Sequence, residues 1–319
     1  MTTQTWRHTA TRYGYFPLIF FGINGLAIFA ILSDAPPLEL AIKIGGLMAF
    51  ALVLAYSSER FLPYNKQWNQ SQGDSWRDII HFSFNESMSL IPTLIVPIFI
   101  IVAPKPTSPI WPGDWPVLMQ VVLCLLIFDL GNNLLHWLSH SWKPLWRLHS
   151  VHHEVTRMYG LNGILKHPLY QIIASVVCSG PLILLGMPKE FALVLVFMSF
   201  TQLLLQHSNT DYRLGWFRHV FAVAEVHRFH HVRGKAGDVN FALFFSFYDH
   251  LFGNALYEKR VLTSQDIGLN YTDFPQSWWG QMKAPFQTKP FIKTDVVDEF
   301  ESHEKQERLE RTLPMAKDI

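Results

Sequence analysis

Long apolar runs are the feature that most restricts how this chain of 319 residues can fold. About 20 apolar residues cross the hydrocarbon core of a bilayer as a helix, and only helices and closed barrels satisfy their backbone hydrogen bonds there. Only 16% of the residues are charged, against about 25% in soluble domains. The sequence therefore predicts an all-α, polytopic integral membrane helical bundle. The candidate runs are residues 15–32, 38–56, 84–103, 116–138, 168–185 and 191–206.

Two of these regions depart from a simple span. The run 84–103 contains Pro92 and Pro97, so we expect a kinked or broken helix. The runs 168–185 and 191–206 are separated only by a short link that contains Gly186 and Pro188. We expect a helical hairpin there, which either crosses the bilayer or dips into it.

The distribution of basic residues predicts which side of the membrane each loop faces. Residues 33–37 contain no Lys or Arg, and the loops 103–115 and 186–189 contain one Lys each, whereas the loops on the opposite side carry most of the remaining Arg and Lys. By the positive-inside rule, both termini and the long loops face the cytoplasm. We predict a multi-pass protein of a bacterial inner membrane in preference to the endoplasmic reticulum. The net charge of +1 gives no reason to expect a nucleic-acid partner. The aromatic and basic residues of 216–229 predict a segment that lies in the membrane interface.

Eight of the fifteen histidines fall in three tight groups. Neutral imidazole is the commonest protein ligand for transition metals, and residues four apart on a helix share one face. A lone histidine is usually an ordinary core or surface residue, but this repetition is difficult to obtain by chance. Eight ligands are too many for one ion, so the sequence predicts two metal ions close together. The groups are His136-x-x-x-His140, His149-x-x-His152-His153 and His227-x-x-His230-His231.

The predicted topology places all three histidine groups on the cytoplasmic side, although hydropathy and charge alone define that topology. The bundle is therefore expected to carry a histidine-rich, metal-binding cap at its cytoplasmic face. A membrane metal-binding or metal-transport protein is the alternative to an enzyme. Transport sites normally lie near the bilayer midplane between broken helices, and this placement argues against that alternative.

Three polar residues beside the histidine groups are the candidate catalytic residues. Asp129 precedes His136 by two helical turns on roughly the same face, and an intramembrane carboxylate is costly unless it has a function. We predict that Asp129 accepts a hydrogen bond from a ligating imidazole. Asn133 shares its face, and Glu154 directly follows the second group.

The sequence contains no recognisable source of electrons. Cys124 and Cys178 both lie in apolar runs, so they are expected to be buried and form no metal-binding cysteine cluster. No Gly-rich dinucleotide fingerprint and no haem-binding module is recognisable. A redox reaction would therefore require a separate electron-donor protein.

Several motifs together resemble the fatty acid hydroxylase / sterol desaturase superfamily. They are HWLSH at 136–140, LWRLHSVHHE at 145–154, KHP at 166–168, QHSN at 206–209, VHRFHH at 226–231, DVNF at 238–241 and YDHLFG at 248–253. The similarity extends from about residue 78 to about residue 286. It divides the chain into an N-terminal transmembrane extension (1–77), a catalytic domain (78–287) and a charged C-terminal tail (288–319).

The resemblance implies a mostly helical membrane enzyme with a histidine-ligated diiron centre at the cytosolic face. Its cofactors would be two iron ions, with O2 as co-substrate. Its partners would be a lipid from the bilayer and an electron donor of the cytochrome b5, ferredoxin or flavodoxin type. Hydroxylation is the leading reaction, and desaturation and aldehyde cleavage remain alternatives.

The resemblance also extends the set of site residues. His207 ends the sixth apolar run at the predicted cytoplasmic edge and becomes the ninth candidate ligand. Some relatives have a further histidine four residues later, but this chain has Asp211 there. Additional candidates for orienting a ligand or a water molecule are His167, Asn209, Asp211 and Asp249.

Overall fold

The structure, a computed structural model, describes residues 3–33, 35–88 and 110–289, together with Phe291. Within these residues the backbone forms helices joined by short 3-10 turns and irregular loops, with isolated bridges but no β-strand. The prediction of an all-α fold is confirmed for this part of the chain. Most of the predicted third span and the charged tail lie outside the described residues.

The N-terminal part is a long helical rod followed by a second helix. Helix α1 (Thr3–Pro17) continues through a π-helical segment (Leu18–Ile23) into α2 (Asn24–Ile31). The rod starts well before the predicted apolar run. Helix α3 (Pro37–Phe61) starts with a proline, which fits the first turn because the N–H at that position has no intrahelical acceptor.

Five further helices build the centre of the molecule. Among the described residues, four helices are long and apolar enough to cross a membrane, namely Trp6–Ile31, α3, Val117–Ser141 and Glu190–His207, whereas Pro168–Leu184 has 17 residues. The integral-membrane prediction is therefore supported by length and composition. The helices are α4 (Ser75–Met88), α5 (Val117–Ser141), α6 (Lys143–His153), α7 (Pro168–Leu184) and α8 (Glu190–His207).

Helices α7 and α8 do not form the predicted hairpin as a packing unit. The link between them is short, as expected, but α7 packs mainly against α5. Helix α8 packs against α2, α3 and a 3-10 turn at Gly160–Ile164. The physical reason is that α8 is apolar around its circumference, and two thirds of its apolar window is buried. Such a helix is expected to lie in the centre of a bundle and to pack against several helices, not against a single neighbour.

The C-terminal part closes over one end of the bundle with short helices. These are α9 (Ala224–His230), α10 (Phe247–Phe252) and α11 (Trp278–Lys283). The prediction that 216–229 lies in the membrane interface is wrong for α9, whose residues are almost all buried because the helix packs against α8. Trp216 and Phe217 in the same stretch are exposed.

Candidate metal centre

The structure brings all nine predicted histidines together in two groups. Within each group the candidate ligand nitrogens lie within 4.8 Å of one another. The rings of His153 and His231 stack across the two groups with centroids 4.6 Å apart, so the groups are adjacent. The first cluster is His136, His140, His149, His153 and His230, and the second cluster is His152, His207, His227 and His231.

The nitrogens of the first cluster converge from three helices. The Nε2 atom of His149 lies 3.0 Å from that of His136 and 3.1 Å from that of His153. The Nε2 atoms of His140 and His153 are 3.2 Å apart. The ring of His230, from α9, lies 4.3 Å from that of His136. Helices α5 and α6 therefore supply four imidazoles, and α9 supplies the fifth.

The second cluster forms where α8 ends. The Nε2 atom of His227 lies 3.2 Å from that of His207 and 3.3 Å from that of His231. The ring of His152 lies 4.9 Å from that of His207 and 4.8 Å from that of His231. All four imidazoles are at most 4% exposed.

In five of these rings, the Nδ1 atom, which points away from the cluster, forms a hydrogen bond with an oxygen atom. An Nδ1–H that donates to oxygen fixes the tautomer and leaves the Nε2 lone pair free. The free lone pairs therefore face the centre of each cluster, as metal ligation requires. The pairs are His136 with Phe241 O (2.8 Å), His140 with Asp238 Oδ1 (2.8 Å), His152 with Leu165 O (2.9 Å), His207 with Asn162 Oδ1 (3.1 Å) and His230 with Val239 O (2.8 Å).

Each His-x-x-His-His motif divides its imidazoles between the two clusters. His149 and His153 belong to the first cluster, whereas His152 belongs to the second. The motif at 227–231 does the reverse and sends only its middle histidine, His230, to the first cluster. Residues four apart on a helix differ by about 40° in direction, while the residue at i+3 lies about 60° to the other side. Each cluster therefore takes imidazoles from both motifs.

Burial keeps six of these imidazoles neutral. It is the largest cause of a lowered pKa at each of the six rings outside the membrane-spanning helices. Neighbouring imidazoles lower the pKa further at most of them, and Lys166 does so at His152 and His227. A neutral imidazole is the form that binds metal. The pKa lies well below 6.5 for His149, His152, His153, His230 and His231, and at about 3 for His227.

A metal ion fits the donor set of each cluster. Two nitrogens bound at about 2.1 Å to one ion at right angles lie about 3.0 Å apart, close to the 3.0–3.3 Å spacings observed. The buried Nε2 of His230 has no hydrogen-bond partner in the described structure, although an unpaired buried polar atom is costly. The five-nitrogen and four-nitrogen sets are therefore suited to hold one ion each.

Asp129 occupies a position different from the predicted one. Its carboxylate is fully buried and accepts hydrogen bonds from the backbone N–H groups of Leu243 (2.8 Å) and Phe245 (2.7 Å), not from an imidazole. Asp249 similarly accepts from the N–H of Phe241 at 2.7 Å. The segment 241–245 is thus held by two carboxylates. Because the Phe241 carbonyl bonds to His136, the backbone of residues 241–245 connects Asp129 with the first cluster.

The other polar candidates also have partners outside the clusters. Asn133 donates to Asp249 Oδ1 at 3.1 Å. Glu154 accepts from Arg77 at 2.7 Å, and its burial raises its pKa to about 7. His167 accepts a hydrogen bond from the N–H of Leu169 at the start of α7. Within the described residues, none of these side chains contacts a cluster nitrogen.

Asn209 and Asp211 bond to residues outside the two clusters. Asn209 exchanges hydrogen bonds with the backbone of Asn65. Asp211 forms ion pairs with Arg12 and Arg213. Both residues therefore connect the chain after His207 to the N-terminal region, where charged and amide side chains are available.

Five residues at the site were not predicted, and one of them is Asp238, whose Oδ1 atom bonds to Nδ1 of His140. The Phe241 ring contacts the rings of His136, His140 and His230, and Trp146 contacts those of His140 and His153. Tyr170 packs on His149, and Asn162 bonds to His207. Phe241 and Trp146 lie within sequence motifs that resemble the family, so their position in those motifs could have identified them as site residues. Asn162 and Tyr170 carry no such signal.

Comparisons with known proteins agree with this geometry. The family profile described as fatty acid hydroxylase matches residues 121–254. The ornithine lipid hydroxylase OlsE of Rhizobium tropici is 30% identical over 276 residues, which cover 84% of this chain and 81% of the relative. A very-long-chain aldehyde decarbonylase of Oryza sativa subsp. japonica is 28% identical over 173 residues, 53% of this chain.

A methylsterol monooxygenase 1-1 of Arabidopsis thaliana is 28% identical over 152 residues, or 46% of this chain. The matched segments span about half the length of the decarbonylase and of the sterol monooxygenase. No solved structure matches this chain.

Proposed function

Because the chain belongs to the fatty acid hydroxylase family, we propose that it is a membrane-bound diiron oxygenase that hydroxylates a lipid-like substrate. The proposal rests on one observation above all, the nine imidazoles in two adjacent clusters with inward-facing lone pairs. Relatives named as hydroxylases and monooxygenases support the oxidoreductase class. Insertion of one oxygen atom from O2 into a C–H bond releases the other as water and consumes two electrons and two protons.

The protein's part in this reaction is to hold the ions and to exclude water. The first cluster would hold one iron through five imidazoles, and the second would hold one through four. Bound iron supplies the redox chemistry that O2 activation and C–H oxidation require. The Phe241 and Trp146 rings cover the first cluster, and a site closed to water protects a strong oxidant from side reactions.

The substrate is proposed to reach the site from the bilayer. Helix α5 ends at the first cluster, and side chains beside its histidines are exposed and apolar, including Leu134, Trp137 and Leu138. These side chains would face hydrocarbon in a membrane. The relative matched over most of the chain is named for an ornithine lipid, so we favour an amphipathic lipid as substrate. The distribution of Lys and Arg favours a site on the cytoplasmic face, with electrons from a separate carrier.

The test uses purified full-length protein in lipid nanodiscs. Wild-type protein is expected to contain two irons per chain and to transfer one 18O atom from 18O2 to a lipid when a reductant system is supplied. His230→Ala removes a ligand of the first cluster, and His152→Ala removes one of the second. Each is expected to lose one iron and the oxygenation activity. His219, which lies outside both clusters, provides the control variant His219→Ala.

Two outcomes would contradict the proposal. Full iron content and activity in both His230→Ala and His152→Ala would show that the clusters are not the iron sites. Metal flux into sealed liposomes without O2 consumption would instead support a transporter.

A further inference from the structure

The N-terminal helices lie outside the residues matched by the family profile, but α3 contacts elements that build the second cluster. Helix α3 packs against both α8 and the 3-10 turn Gly160–Ile164. Glu59 lies in the last turn of α3 and is only 2% exposed. A buried carboxylate is costly unless it is hydrogen-bonded, so its partners indicate what it does.

Both partners of Glu59 are backbone amides beside the second cluster. Its Oε1 atom accepts hydrogen bonds from the N–H of Gly160 at 2.7 Å and from the N–H of Asn209 at 3.1 Å. Gly160 begins the turn that contains Asn162, and Asn209 lies two residues after His207. One oxygen atom therefore joins the two chain segments that carry the Asn162–His207 hydrogen bond.

The turn and the end of α8 are packed too closely to adjust independently. A Cβ atom at Gly163 would lie 2.5 Å from the carbonyl oxygen of Leu203 and 3.1 Å from Cγ of His207. Only glycine fits so close an approach. A shift of the turn away from α8 would lengthen the 3.1 Å bond between Asn162 Oδ1 and His207 Nδ1. That bond directs the Nε2 lone pair of His207 into the cluster.

We propose that Glu59 is a positioning residue for the second metal ion. It holds Gly160 and Asn209 at a fixed separation, and thereby keeps His207 in the tautomer and orientation that ligate. The N-terminal helices are then part of the metal centre and not only a membrane anchor. This inference rests on the proposed function in one respect, because it requires that the second cluster binds a metal.

The experiment measures Fe(II) affinity at each cluster of the full-length protein in nanodiscs by competition with a ferrous chelator. Mössbauer spectra distinguish the two irons. Glu59→Ala is expected to weaken one of the two sites by about 10–100-fold, as loss of an outer hydrogen bond to a ligand typically does, and to leave the other unchanged. Glu59→Gln is expected to retain both affinities, because both N–H groups donate to a single oxygen that an amide also provides.

Two further variants separate positioning from general destabilisation. Thr201→Ala removes a different buried hydrogen bond between α8 and the N-terminal rod, from Thr201 Oγ1 to Asn24 Oδ1, and should leave both irons in place. If Glu59→Ala does not fold, Glu59→Asp decides, since the shorter side chain keeps the charge but cannot reach both amides. It should weaken the same single site.

The outcomes distinguish this inference from the proposed function. Wild-type protein that binds no iron would refute the function. Two wild-type sites that Glu59→Ala and Glu59→Asp leave at full affinity would refute the role of Glu59 alone. Equal weakening of both sites in Glu59→Ala would also refute it, because a positioning role at His207 affects only one ion.

Discussion

Replacement of Asp129 tests how a membrane helix controls the first cluster. Asp129→Ala leaves two backbone N–H groups without an acceptor, that of the buried Leu243 and that of the partly buried Phe245. Each unsatisfied buried group costs about 1–3 kcal/mol, which gives about 2–6 kcal/mol for the pair. The variant also removes the cost of burying a carboxylate, which partly offsets the loss. We therefore expect a net destabilisation near the lower limit, about 2 kcal/mol.

The effect should be local to the segment 241–245. Backbone hydrogen exchange reports the free energy of local opening, and about 1.4 kcal/mol corresponds to a tenfold change. The amides of Leu243 and Phe245 should therefore exchange about 30-fold faster in Asp129→Ala than in wild-type protein, if about 2 kcal/mol is lost. The iron of the first cluster should bind more weakly, because the Phe241 carbonyl that orients His136 moves with this segment.

The control for this experiment is Leu130→Ala, which changes the neighbouring residue on the lipid-facing side of α5. It should alter neither the exchange rates nor the iron content. Asp129→Asn should have a smaller effect than Asp129→Ala, since its amide oxygen still accepts one of the two bonds. Unchanged exchange at Leu243 and Phe245 in Asp129→Ala would refute the reasoning.

Two further predictions concern packing and pH. Gly163→Ala places a Cβ atom against α8 and the ring of His207, so iron titration should show a weakened second site. The control variant Gly180→Ala, where the added carbon meets no atom within 4 Å, should retain both irons. Metal-free protein should lose stability as the pH falls below about 6.5, because histidines of the unfolded chain then bind protons. In the folded chain the same imidazoles stay unprotonated because they are buried, as for His227 with a pKa of about 3. Chemical denaturation between pH 8 and 5 measures this, and constant stability over that range would contradict it.

The ligand histidines could be predicted because their signal is local. Helical spacing identifies residues that share a face, and the repetition of His-x-x-His-His identifies a metal centre without any tertiary information. Four of the six predicted apolar runs coincide with helices long enough to cross a membrane, since hydropathy is also a local signal. The distribution of the histidines between the two clusters did not follow, because His152 and His153 are neighbours in sequence but belong to different clusters. That choice depends on how α6 and α9 pack against each other and against α5.

The contacts of Asp129 and Glu59 could not be predicted because their partners are backbone atoms. Asp129 was recognised as unusual from its place in an apolar run, but nothing in the sequence marks the amides of Leu243 and Phe245 as its donors. Glu59 gave no signal, since one acidic residue at the end of an apolar run is an ordinary feature. Any residue can offer a backbone N–H, so these bonds leave no pattern of residue types.

The arrangement of the two motifs makes the clusters depend on each other. Each cluster takes ligands from α6 and from the 227–231 motif, so neither can form unless both segments are in place. A different buried carboxylate holds the backbone beside each cluster. The strip 241–245, held by Asp129, orients His136 in the first cluster, while the turn held by Glu59 orients His207 in the second. Helices α5 and α3 thus each contribute a buried carboxylate that acts through backbone amides. Loss of either carboxylate should therefore weaken one ion first, although loss of a whole motif removes both.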